Sequence, residues 1–445
     1  MADIQFACAE DGTQIAYEVL DAGLNAAGAH DVVMVSGGTF PMESYDGFPG
    51  FTRLLEGLRQ VGRVVIFDRR GVGLSDPPPD YERPILDQWA DDLLAVVRAS
   101  GAINPVIFAW DGFGVGSRFA ARNPDCLVKL VLHHPMAGDD DEQWWVRRSE
   151  LIRRNLAGEG GGDQLLSEIA PSHWSDPSFR EWYLRAGRTG ASPTNAARIW
   201  ESVFSAYPYG QLLDEIAVPT LVLVRVGQVA SPPEAVRAAA SHISRVTTVE
   251  LDGADLFPFL GDVDAVVAEI SQFLLGERRT PPPQRMLAAV LFTDLVDSTA
   301  RAASLGDAKW KALLDRHDGV IRAAVGHCGG TVVKTTGDGV LALLPSASAA
   351  LTVAERMRRD LAVAELEIRV GIHVGDIDKR GDDISGLAVN IAARAMSKAG
   401  PGEIYVTDSV VAATGGPGSQ YEPQGSYELK GVPGEWALSR YEPAT

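Results

Sequence analysis

Between Gly276 and Gln284 the chain reads Gly-Glu-Arg-Arg-Thr-Pro-Pro-Pro-Gln, and neither a helix nor a sheet can run through it. The three prolines remove three backbone donors in a row and fix their own φ angles. A chain of 445 residues is also longer than one compact core usually serves. Two domains of unequal size are therefore expected, residues 1–275 and 286–445, joined by an extended and fairly stiff linker at 276–285.

The chain has the composition of folded protein, since 46% of its residues are hydrophobic and 22% charged. A formal net charge of −19 repels a phosphate backbone and argues against nucleic acid as a partner. A nucleotide remains acceptable where bound cations supply positive charge. Cys8, Cys126 and Cys328 are scattered without metal-ligand spacing, which suits a reducing cytoplasm. The first residues lack a basic stretch followed by an apolar one, and no apolar run approaches the roughly 18 residues of a membrane span. A cytoplasmic protein without a membrane span is the expectation.

In the first domain, apolar runs at Val32 to Val35, Val64 to Phe67, Val106 to Ala109, Leu127 to Leu132 and Thr220 to Val224 alternate with helical stretches. That rhythm predicts a parallel sheet covered by helices. Residues from about 138 to 215 lack strand-like runs and predict a helical cap, inserted before the sheet resumes.

The second domain opens on a strand from Met286 to Phe292 that runs into Thr-Asp-Leu-Val-Asp-Ser-Thr, so Asp294 stands at a strand end before a helix start. A carboxylate there can hold a cation while helix N-terminal N–H groups receive phosphate oxygens. In Val332 to Leu341, strand-like residues flank a Gly-Asp-Gly tip that would thrust Asp338 outward as a hairpin. Two carboxylates at neighbouring strand ends suit a pair of hard cations. Further on, Leu387 to Arg394 reads as a helix with Asn390 and Arg394 four apart on one face. Lys334 can donate and Asp383 accept, which matches the acceptor N1 and donor N6 of adenine; guanine presents the opposite pair. Taken singly, Asp338 could be a turn residue, Lys334 an exposed strand lysine, Asp383 a loop acid, and Asn390 and Arg394 a solvated helix face.

Together and in this order, these motifs resemble the catalytic domain of class III adenylate and guanylate cyclases from Arg285 to Tyr441. The resemblance implies a ferredoxin-like α+β domain whose Asp294 and Asp338, with the carbonyl of Leu295, bind two divalent metal ions, magnesium or manganese. It further implies that Lys334 and Asp383 recognise adenine, that Asn390 orients the ribose and Arg394 stabilises the transition state, and that Lys430 holds the terminal phosphates. ATP would be the substrate, cyclic AMP and pyrophosphate the products, and a homodimer the working unit, because the family builds its site from two such domains. His373 is read as structural.

The first domain resembles an α/β-hydrolase, through Phe67-Asp68-Arg69-Arg70-Gly71-Val72-Gly73-Leu74-Ser75-Asp76 after a strand and the Gly37-Gly38 turn. At its catalytic positions the likeness implies a degenerate triad: Asp111 fills the nucleophile slot, Gln228 the acid slot and Leu256 the slot of the general base. Leucine cannot take a proton, so an ester formed on Asp111 would not turn over. His133 and His134 are read as packing residues. A pseudo-hydrolase follows, which binds a small apolar ligand beneath a cap containing Trp144 and Trp145, or scaffolds the dimer. The competing readings are a working hydrolase with a regulatory nucleotide-binding domain, a guanylate cyclase, and a nucleotide sensor without turnover.

Overall fold

The structure is a computed structural model that describes residues 4–24, 26–79, 81–110, 114–135, 142–156, 162–204, 210–281, 284–335, 338–363, 366–380, 383–416, 418 and 420–443. It separates into two compact units, Met1–Pro282 and Pro283–Thr445.

The first unit is built on strands β1 (Gln5–Cys8), β2 (Gln14–Leu20), β3 (Val32–Val35), β4 (Val64–Phe67), β5 (Val106–Ala109), β6 (Lys129–His133), β7 (Thr220–Arg225) and β8 (Val246–Leu251), in the order β1-β2-β4-β3-β5-β6-β7-β8. From β4 through β8 every pair is parallel, whereas β1–β2 and β2–β4 are antiparallel. The inner parallel strands β3, β4 and β5 are apolar on both faces because both are covered, whereas the edge strand β8 is largely exposed. Val33 and Val35 face a core with the helices Ile85–Ala99, Val115–Arg122 and Pro233–Ala240. Val32 and Met34 face a second core with Pro49–Leu58 and Val263–Leu275. Between β6 and β7 stand the helices Glu142–Leu156, Gly162–Ile169, Pro177–Gly190, Pro193–Phe204 and Gly210–Asp214, which form a cap. This is an α/β-hydrolase arrangement with a helical cap.

Gly276, in the left-handed region at φ 77°, stops the helix Val263–Leu275. Within the segment read as linker, the Arg279 amide donates to Ser271 Oγ at 2.8 Å and Arg53 Nη2 donates to the Pro281 carbonyl at 3.2 Å. Those residues are tied to the first unit.

The second unit comprises β9 (Gln284–Leu295), β10 (Thr331–Thr335), β11 (Val340–Leu344), β12 (Ile368–Arg380), β13 (Asp383–Ser385), β14 (Ile404–Thr407), β15 (Tyr421–Glu428) and β16 (Glu435–Tyr441). Their order is β10-β11-β9-β12-β14-β16-β15, with β13 paired to β12. Strands β9 to β12 and the helices Asp307–His327 and Ala347–Ala362 between them make a ferredoxin-like core. Alternation along β9 sends Leu291 and Leu295 to those two helices, and Ala288 and Val290 to the opposite face, where the helix Leu387–Met396 packs. No helix among the described residues is long and apolar enough to cross a membrane.

Candidate active site

Asp294 is the penultimate residue of β9 and pairs in register with Arg369 of β12. On the other side of β9, Thr293 pairs with Val340, the first residue of β11, and its Oγ1 accepts from the Val340 amide at 3.1 Å. The chain therefore enters β11 beside the end of β9, which brings Asp338, two residues earlier, within the electrostatic reach of Asp294. Partial burial pushes the Asp294 carboxyl above its ordinary range, the Asp338 charge pushes it the same way, and Arg369 pulls it down. Arg369 Nη2 stands 4.0 Å from Asp294 Oδ2. Leu295 is buried, and the helix Ser298–Leu305 starts after Asp297, a left-handed residue at φ 56° whose side chain does not cap it. Sequence reasoning missed Arg369; its only signal was a permanent cation in an apolar strand, Ile368-Arg369-Val370.

Lys334 is exposed on β10, just after a register shift that follows Val332. Asp383 opens β13, which lies beside β10, but its side chain falls outside the described residues. The helix Leu387–Met396 buries Ala388, Ile391, Ala392 and Ala395 and leaves Asn390 and Arg394 exposed, as their spacing predicts. Its seat on β12 depends on Gly371, where an added Cβ would lie 2.2 Å from the Met396 amide nitrogen and 2.4 Å from the Ala392 carbonyl oxygen. Leu429 and Val432 pack on Ile391, and Arg394 Nε donates to the Lys430 carbonyl at 3.1 Å. The structure thus gathers Asp294 with Asp338, sets β10 beside β13, and joins Arg394 to Lys430. His373 is buried, with Nδ1 at 2.8 Å from Thr407 Oγ1, which is a packing role.

The first unit holds a cavity of about 590 Å³ between its sheet and its cap. Phe40, Trp110, Tyr183, Trp200, Leu256 and Phe257 are among its walls. Asp111 lies outside the described residues, as do the side chains of Trp144 and Trp145.

Two family models match this sequence. Residues 32–269 match the alpha/beta hydrolase family, and residues 282–441 match the adenylate and guanylate cyclase catalytic domain. The chain belongs to the alpha/beta hydrolase family and carries a cyclase catalytic domain. An adenylate cyclase of Glutamicibacter nicotianae is 33% identical over 141 residues, covering 31% of this chain and 35% of that protein. One from Streptomyces coelicolor is 34% identical over 128 residues, or 28% and 33%. The chain spans about a third of the length of these curated relatives. Among solved structures, the enol-lactonase of Burkholderia xenovorans is 20% identical and covers 61% of this chain and 99% of its own, with a TM-score of 0.49.

In the hydrolase domain, the positions that sequence reading assigned to a triad hold other groups. Gln228 is buried and braces two loops: its Nε2 donates to the Ala254 carbonyl at 2.7 Å, and its Oε1 accepts from the Ala230 amide. Leu256 is a cavity wall whose amide donates to the Ile169 carbonyl of the cap at 2.8 Å. The nearby Asp255 is consumed by the Ser172 amide and hydroxyl. His134 reaches the cavity but has both ring nitrogens engaged, Nε2 with the Ser231 carbonyl and Nδ1 with the Arg225 amide, each at 2.8 Å. Burial holds its pKa down to about 4 and that of His133 well below the usual range, so both stay neutral. The Asp68 motif is structural too. Its carboxylate accepts from the Met42 and Leu74 amides, and Arg70 is clamped by Asp92, Asp11 and Gln88.

Proposed function

We propose that this protein is an adenylate cyclase, converting ATP to 3′,5′-cyclic AMP and pyrophosphate at sites shared between two copies of the chain, with a hydrolase-like domain that does not turn over esters. The observation that carries the reading is the pair Asp294 and Asp338. A carboxylate whose proton affinity is raised by burial and by a neighbouring acid, as that of Asp294 is, stands in an unfavourable place unless a cation neutralises it. The oxygen chemistry of the pair, with the Leu295 carbonyl, suits magnesium or manganese.

Asp294 and Asp338 would hold the two ions, whose chemistry when bound is to lower the charge on the polyphosphate and the pKa of the attacking hydroxyl. The remaining work belongs to side chains. Lys334 donates to adenine N1 while Asp383 accepts from N6. Asn390 hydrogen-bonds the ribose and fixes its 3′-oxygen in line with the α-phosphorus. Arg394 neutralises the charge that develops on the α-phosphate oxygens, and Lys430, fixed to Arg394 through its main chain, meets the terminal phosphates. Lys334, Asp383, Asn390 and Arg394 of one chain would act on a nucleotide whose metal ions are held by Asp294 and Asp338 of the other, which makes a homodimer with two equivalent sites the active form.

The test is the formation of cyclic AMP by the whole chain with Mn²⁺ or Mg²⁺, with GTP assayed beside ATP. ATP is expected to be preferred, and Asp294→Ala or Asp338→Ala to cut the rate at least about a hundredfold. Retention of activity by either variant overturns the two-ion reading, and preference for GTP overturns the adenine reading. A panel of esters and epoxides is expected to remain intact; turnover abolished by Asp111→Ala would make the first domain an enzyme.

A further inference from the structure

The cavity of the hydrolase domain has a chemistry that narrows its ligand beyond apolar and small. Four aromatic rings form a box: Phe40 and Tyr183 lie 5.5 Å apart at 65°, Phe40 and Phe257 5.9 Å apart at 77°, and Trp110 and Phe257 5.7 Å apart at 85°. Such edge-to-face walls favour a hydrophobic body, aryl above all, and about 590 Å³ lies within the range of small-molecule sites.

The charged inventory is one-sided. Among the described lining residues there is no Asp or Glu, and Arg188 is the one cation. Arg188 is exposed in the last turn of the helix Pro177–Gly190, next to the exposed lining residue Leu184, so the guanidinium stands at the mouth. It makes no ion pair among the described residues. Deeper on the same helix, the Tyr183 hydroxyl also has no hydrogen-bond partner among them. Burial pushes its pKa up to about 12, so the phenol stays protonated and is a donor. His134 offers nothing, since both of its nitrogens are bound to backbone.

The geometry points to a receptor site for a hydrophobic monocarboxylate, its body in the aromatic box and its carboxylate between the Tyr183 hydroxyl and the Arg188 guanidinium. An ammonium head would meet a like charge there, and a neutral head would leave the guanidinium unused. This inference rests on the reading of the first domain as non-catalytic.

The test uses the full chain and three probes of one shape: 4-phenylbutyrate, its methyl ester, and 4-phenylbutylamine. Affinity is read by titration calorimetry and by quenching of tryptophan fluorescence. The acid is expected to bind about tenfold tighter than the ester, with no saturable binding of the amine. Arg188→Gln should erase the preference for the acid, and Tyr183→Phe should weaken binding of the acid. Gly187 lines the cavity from a helical position where an added Cβ meets nothing within 4 Å, so Gly187→Phe should fold normally by circular dichroism and block all binding. Equal affinity for acid and ester, binding of the amine, no binding of the acid, or undiminished binding by Gly187→Phe each overturns the site. Release of acid from the ester is a separate outcome, which would sink the non-catalytic reading instead.

Discussion

Asp294 carries the largest share of the proposed chemistry, and its surroundings show what a residue gains from position. Burial and Asp338 raise its proton affinity, while Arg369 opposes them from the paired strand. The acids were legible in the sequence because strand ends and Gly-Asp-Gly tips announce themselves; Arg369 was not, because its partner lies 75 residues away in the chain. In the proposed site base selection rests on Lys334 and Asp383, so Lys334→Glu, which exchanges a donor for an acceptor, is expected to lower kcat/KM for ATP about ten- to a hundredfold and to leave GTP nearer parity. Steady-state assays with both nucleotides check this. His134 gives a pH prediction. The unfolded chain protonates this histidine below about pH 6.5, the folded chain only below about 4, so stability falls as pH falls through that window. Its left-handed φ of 36° tolerates asparagine, so His134→Asn is a fair comparison. The stability gap between wild type and His134→Asn should narrow by about 3 kcal/mol between pH 7 and pH 4, measured by denaturant unfolding.

At the scale of elements, the parallel strands were plain from sequence because β3 to β5 are unbroken runs of four buried apolar residues. The helix Leu387–Met396 was equally plain, with small apolar residues inward and Asn390 and Arg394 outward. The antiparallel β1 and β2 were passed over because they mix exposed and buried residues and sit at an edge. Nor could sequence show that Leu429 and Val432 would pack on Ile391 and so hand the Lys430 carbonyl to Arg394. Such tertiary docking has no local period. One glycine supports that helix: Gly371→Ala would drive a Cβ into the backbone at Ala392 and Met396. The helix must lift, which is expected to cost about 1–3 kcal/mol and to move Asn390 and Arg394. A lowered unfolding temperature together with a fall in kcat checks it; a wild-type melt and rate would show that the seat is not strained.

For the molecule as a whole, the deciding question is whether one chain completes a site. Asp294 is tied to Asp338 and Arg369, whereas Arg394 is tied to Lys430, and the proposal assigns these two groups to opposite members of each site. That arrangement has an arithmetic consequence. A homodimer of Asp294→Ala chains has no intact site, and neither has one of Arg394→Ala chains. A mixed dimer has one site in which both defects fall together and one in which neither occurs. Random exchange of equal amounts makes half of the dimers mixed, each with half of its sites whole, so mixing two inactive proteins should restore about a quarter of the wild-type rate. Recovery should fall on dilution as dimers dissociate, and a cyclase built from single chains would recover nothing at any concentration. Running the same mixture with residues 285–445 in place of the whole chain measures what the hydrolase domain adds. Equal recovery would leave it a tether, while recovery that changes when 4-phenylbutyrate is added, in the whole chain alone, would make its cavity the input of a switch.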